Sequence, residues 1–95
     1  MKLKSLFESF SMPDGTIVES YMSEGRLHRD QGPAWRMLVP DGAIVEMFFK
    51  NGVLDRDDGP AISVTYPKIG GIDAYFRSGI SFNPTIGSTV KPGPR

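Results

Sequence analysis

Apolar residues recur at every second position through long stretches of the chain, the period of a half-buried β-strand. Trp35, Met37 and Val39 alternate with their neighbours on one side of Pro40-Asp41-Gly42, and Val45, Met47 and Phe49 alternate on the other. Residues 34–39 and 43–50 are therefore predicted strands, and the tripeptide between them is a hairpin corner. Pro presets φ at the first turn position, Asp favours the second, and Gly supplies the left-handed residue of a bulged three-residue loop. That loop length sets the register: Val39 opposite Ala43, Met37 opposite Val45, Trp35 opposite Met47.

The pattern repeats. Pro13-Asp14-Gly15 returns 27 residues later as Pro40-Asp41-Gly42, and residues 25–34, GRLHRDQGPA, return after the same 27 as GVLDRDDGPA at 52–61. A further step of that length reaches Pro67 and Gly79, with Tyr21, Phe48 and Tyr75 in phase. The same register pairs Phe10 with Val18 and Met12 with Thr16 in the first hairpin, and Val64 with Ile72 and Ile62 with Ala74 in the third. One face then carries Phe10, Val18, Met22, Trp35, Met37, Val45, Met47, Phe49, Ile62, Val64, Ile72 and Phe76, expected to turn inward. The fold expectation is all-β: an antiparallel meander of three stacked hairpin repeats forming an open, curled sheet. It makes one domain over 1–82, with units near 1–25, 26–52 and 53–82. The third copy decays after Gly79, as terminal repeats do, and 83–95 is expected to be a flexible tail.

Composition narrows the chemistry. Eleven basic residues balance eleven acidic ones over 95 residues, which disfavours general nucleic-acid binding by a basic surface. There is no cysteine and a single histidine, so disulfides and thiolate metal sites are excluded and a reducing, cytoplasmic setting is expected. No apolar run approaches the roughly 18 residues of a membrane helix, and the opening residues lack the apolar segment of a signal peptide. No metal or cofactor is expected.

Candidate chemistry is sparse. His28-Arg29-Asp30 spells a kinase catalytic-loop tripeptide, but no glycine-rich loop precedes it and no D-F-G follows. The second copy keeps Arg56-Asp57 and replaces His28 with Asp55, as a structural repeat would. Asp57-Asp58 reads as a solvated turn, and Gly70-Gly71 as a turn or bulge, since no helix follows it to cradle a phosphate. The chain is not expected to be an enzyme.

The face opposite the apolar stripe carries Glu19 and Tyr21, Glu46 and Phe48, Asp73 and Tyr75: an acid with an aromatic two residues along, three times over. Exposed aromatics are common interface anchors, so these six are the candidate partner-binding residues. The competing reading is structural, with the rings packing across strands and the acids pairing with cations; Arg36 falls opposite Glu46. An alternative site, for an anionic small ligand or lipid headgroup, would use His28, Arg29 and Arg56. The competing reading has Arg29-Asp30 and Arg56-Asp57 fastening their loops.

Gly25-Arg26-Leu27-His28-Arg29-Asp30-Gln31-Gly32-Pro33-Ala34 and Asn51-Gly52-Val53-Leu54-Asp55-Arg56-Asp57-Asp58-Gly59-Pro60-Ala61 resemble the bacterial and phage MORN-like repeat, which reads roughly N-G-x-L-H-R-x-D-G-P-A before a strand, a turn and an aromatic-rich strand. The resemblance spans 13–77. It implies an open antiparallel sheet serving as a scaffold or binding module; some relatives are thought to be antitoxin partners. The period is longer than in eukaryotic MORN repeats, and the basic array proposed there for phospholipids has no counterpart, against a membrane role. The functional expectation is a non-enzymatic module that binds another protein or protein complex, with homodimerisation open because a lone sheet leaves its edges unprotected. By analogy at the level of the fold it narrows to a small inhibitor: an anti-CRISPR-type counter-defence protein of a phage or mobile element, or an antitoxin or immunity protein.

Overall fold

The computed structural model describes residues 5–83, which are all-β with no helix among them. Of the expected tail, 83–95, all but Asn83 lies outside the described residues. Strands β1 (Ser5–Ser11), β2 (Ile17–Ser23), β4 (Trp35–Leu38), β5 (Ile44–Met47), β8 (Ile62–Tyr66) and β9 (Gly70–Arg77) follow one another in an antiparallel meander. Short strands β3 (Arg26–Leu27), β6 (Phe49–Lys50), β7 (Val53–Leu54) and β10 (Ile80–Phe82) build a second ladder beside it.

The hairpins bend at the expected corners and in the expected register. Phe10 pairs with Val18, Met37 with Val45, Trp35 with Met47, Val64 with Ile72 and Ile62 with Ala74. Each Pro-Asp-Gly corner is locked by its aspartate, because Asp14 and Asp41 accept the N–H of Thr16 and Ala43, both at 2.9 Å. Gly15 and Gly42 take φ of 97° and 99°, open only to glycine at low cost. At the third corner Ile69 stands where the others have glycine, and the positive φ moves one residue on, to Gly70 at 89°.

The N–H of Thr16 bonds the ionised carboxylate and holds Asp14 below its ordinary value near 3.8. A depressed carboxylate stabilises the fold above its unfolded pKa and ceases to as pH falls through the folded one. Asp14→Asn should therefore flatten the dependence of the urea midpoint on pH below about 4, with little change near neutrality. An acid limb as steep as that of the parent chain would dismiss this corner as its source.

Each unit bends twice, not once. Glu24-Gly25, Asn51-Gly52 and Ser78-Gly79 all lie in the left-handed region, with φ of 52° at every first residue and 78–82° at the glycines. These are two-residue hairpin turns whose twist suits the strands they join. They send β3, β7 and β10 back along the ends of β2, β6 and β9. The hydrogen bonds recur with the repeat: Leu27 and Leu54 carbonyls accept from Gly52 and Gly79, each at 2.8 Å, and Phe49 and Phe76 carbonyls accept from Arg29 and Arg56 at 3.2 and 3.1 Å. One unit is thus stitched to the next along both ladders.

The expected inward stripe exists as a row but is not covered. Phe10, Val18, Met37, Val45, Val64 and Ile72 lie side by side across the sheet. Yet Phe10 is 56% and Ile72 63% exposed at the two ends of that row. Burial concentrates on Val18 within that row and on Ala34, Ala43, Ala61 and Thr16 outside it, and no large side chain among the described residues is fully enclosed. A single sheet has no second layer to press against, so its apolar face shields itself only where neighbouring side chains lean together.

Candidate functional site

The two ladders share their long strands and part at one point in every unit, marked by Tyr21, Phe48 and Tyr75. Tyr21 and Phe48 send their N–H groups to the carbonyls of Ala34 and Ala61, both at 2.7 Å, while their own carbonyls accept from His28 and Asp55 at 3.0 Å. The loops 28–34 and 55–61 span the resulting fork, and each is closed by an arginine. The Arg29 guanidinium lies 3.9 Å over the Tyr21 ring and donates to the Pro33 carbonyl at 3.3 Å. Arg56 does the same over Phe48 at 3.9 Å, donating to Pro60 at 3.1 Å. Stacking satisfies the cation's face and the carbonyl satisfies its rim.

The loop glycines make room for this arginine. A Cβ on Gly32 would lie 3.0 Å from the Arg29 guanidinium, and one on Gly59 only 2.8 Å from that of Arg56. The R-D-x-G-P-A signature is thereby a packing rule: an arginine, and three residues later a glycine for it to lie on.

His28 and Asp55 occupy one place in successive units and do one job. His28 Nδ1 accepts the N–H of Asn51 at 2.9 Å, and an Asp55 carboxylate oxygen accepts that of Ser78 at 3.1 Å. Each thus holds the tight turn of the following unit. With Nδ1 accepting, the His28 proton sits on Nε2, which faces Asp30 at 3.1 Å. His28, Arg29 and Arg56, the alternative ligand set, are all engaged within the chain. Arg29 and Arg56, but not His28, border a cleft of about 610 Å³ between the two loops, with Phe48 in its lining. Asp30, Asp55, Asp57 and Asp58 line the same cleft against Arg29, Lys50 and Arg56, so its walls favour no anion. The Arg56 hydrogen bond holds Asp58 below the usual carboxylate range.

The acid-aromatic face is organised as follows. Arg36 stands between Glu46 at 3.1 Å and Glu19 at 3.6 Å, all three in one cross-strand row that ends at Asp73. Tyr21 is roofed by Arg29 and packs on Phe7, ring centroids 4.8 Å apart. Phe48 is roofed by Arg56. Five of the six predicted partner-binding residues therefore already have intramolecular contacts. Asp73 is exposed and has no ion pair or hydrogen bond among the described residues, and Tyr75 meets only the edge of Phe82, at 5.9 Å.

Sequence reasoning expected unprotected sheet edges but named no residue on them. All seven residues of β1 are exposed, including Leu6, Phe7 and Phe10 at 52%, 49% and 56%. In the β1–β2 ladder the even residues face β2, as shown by Met12 donating to Thr16 and by Tyr21 donating away to Ala34. Phe7, Ser9 and Ser11 consequently point their N–H and C=O groups away from the sheet. This edge has no proline, lysine or bulge within Ser5–Ser11, and Glu8 is the one charged side chain along it that could blunt pairing. Comparison with protein-family models, with curated proteins and with solved structures returned no match.

Proposed function

We propose that this chain is a non-enzymatic protein-binding module of MORN-like architecture that takes up a partner by strand addition along β1. The supporting observation is the free edge itself: an unguarded row of backbone donors and acceptors flanked by Leu6 and Phe10 on one face and Phe7 on the other. Main-chain bonds supply the affinity in this mode, and the alternating side chains supply the choice of partner. The finer role, inhibition of that partner in counter-defence or as an antitoxin, rests on the family resemblance alone.

Ser9→Pro tests the edge. Its N–H faces outward, so proline removes one donor of the template without touching the bonds to β2, a placement that edge strands tolerate. The variant should keep its circular dichroism and melting temperature yet lose about tenfold or more in partner affinity, measured by titration calorimetry with the protein identified by cross-linking. Undiminished affinity would move the contact off β1. The same edge admits a second copy of this chain, and light scattering on the parent chain and on Ser9→Pro separates that occupant from a foreign one.

A further inference from the structure

The first two units show what the aromatic at the fork of the sheet receives: an arginine guanidinium, laid on Tyr21 and on Phe48 at the same 3.9 Å. Arg29 and Arg56 are 27 residues apart, and one more step along the chain arrives at Asn83. An amide there cannot stack as a cation or span the distance that an arginine does. Around Tyr75 the third unit keeps the ring and sets different walls beside it. Phe82 closes one side edge-on at 62°, Asp73 stands two residues along on the same face, and a cleft of about 380 Å³ opens between them. The neighbouring Arg77 is turned elsewhere, stacked 4.6 Å over Phe82 and paired with Asp57 at 3.2 Å. Asp73 lacks a cation among the described residues, whereas Glu19 and Glu46 share Arg36.

We infer that the third unit is an arginine seat to be filled in trans: Tyr75, Phe82 and Asp73 receive the guanidinium of an arginine side chain presented by a partner protein. The repeat supplies the precedent for the ligand, because the chain twice lays its own arginine on the equivalent aromatic. An aromatic floor with a carboxylate at its rim selects arginine over lysine, since the planar guanidinium stacks and forks where an ammonium does neither. The seat lies on β9 and β10, at the opposite end of the array from β1, so it stands or falls apart from the edge-strand reading.

The probe is N-acetyl-arginine amide, titrated into the ¹⁵N-labelled full-length chain, with the lysine and citrulline analogues as comparisons. Saturable shifts confined to residues 73–76 and 81–83, strongest for arginine and absent for citrulline, are expected. Asp73→Asn, an exposed change that spares the fold, should weaken binding about fivefold. Asn83→Arg should restore the rule of the repeat, fill the seat from within and block the probe. Equal responses to arginine and citrulline, or a probe that binds Asn83→Arg undiminished, would overturn the inference. A tighter response after Arg95→Ala would also overturn it, by identifying the chain's own last arginine as the occupant.

Discussion

Ala61→Leu should lower the thermal midpoint by about 5–20 °C, from a cost of roughly 1–3 kcal/mol in a domain this small. Ala61 and its counterpart Ala34 are the only fully enclosed residues described, both at 0% exposure. Each sits at a fork with its backbone bonded to both neighbours: Ala61 accepts from Phe48 and donates to Ala74 at 2.9 Å, and Ala34 accepts from Tyr21 and donates to Met47 at 2.9 Å. Such a residue cannot retreat without breaking both ladders, so added methyls must displace the loop packed over it. Ala34→Leu should behave alike, while Thr65→Leu, on an exposed position of β8, should shift the midpoint little. Thermal melts followed by circular dichroism decide this. A midpoint for Ala61→Leu within a degree or two of the parent would mean that the forks are not the packed centres of the fold.

The second large effect is a pattern of rescue. Gly59→Ala puts a Cβ into the Arg56 guanidinium and should destabilise by about 1–3 kcal/mol, as overpacking does. Arg56→Ala alone loses the stack on Phe48 and the bond to Pro60, about 1–2 kcal/mol at a half-exposed site. Once the guanidinium is gone the nearest clashes of the new methyl go with it, so the double variant should resemble Arg56→Ala alone, far from additive. Gly32→Ala should not be rescued in full by Arg29→Ala. Gly32 holds φ at 113°, a conformation that alanine resists whatever the space, whereas Gly59 lies outside that region. Urea denaturation of the six variants measures both cycles. Additive costs at 56 and 59 would refute the packing rule assigned to the R-D-x-G-P-A loop.

Much of the fold was legible before any coordinates. The Pro-Asp-Gly corners fix register through local turn chemistry, and a period of two allots each residue to a face; neither depends on distant parts of the chain. The second bend of each unit was harder to see. Asn51-Gly52 is a strong two-residue turn signal, but Glu24-Gly25 and Ser78-Gly79 are not, because glutamate and serine rarely take positive φ unaided. Ser78-Gly79 is held from outside itself, Gly79 by the Leu54 carbonyl and Ser78 by the Asp55 carboxylate, whereas Glu24-Gly25 has no counterpart of these bonds among the described residues.

For the candidate site the division is similar. Sequence alone placed an acid and an aromatic on one face in every unit, and matched Arg36 to Glu46. It could not say that Arg29 and Arg56 lie on the preceding aromatics, since those contacts close across a loop and depend on where the glycines leave space. Nor could alternation tell whether anything covers the apolar row. A strand records that it has two faces; only the assembled sheet determines which of them meets another layer. Here a single layer leaves Phe10, Ile72 and the whole of β1 facing outward, because apolar periodicity specifies orientation while burial requires a partner on the other side.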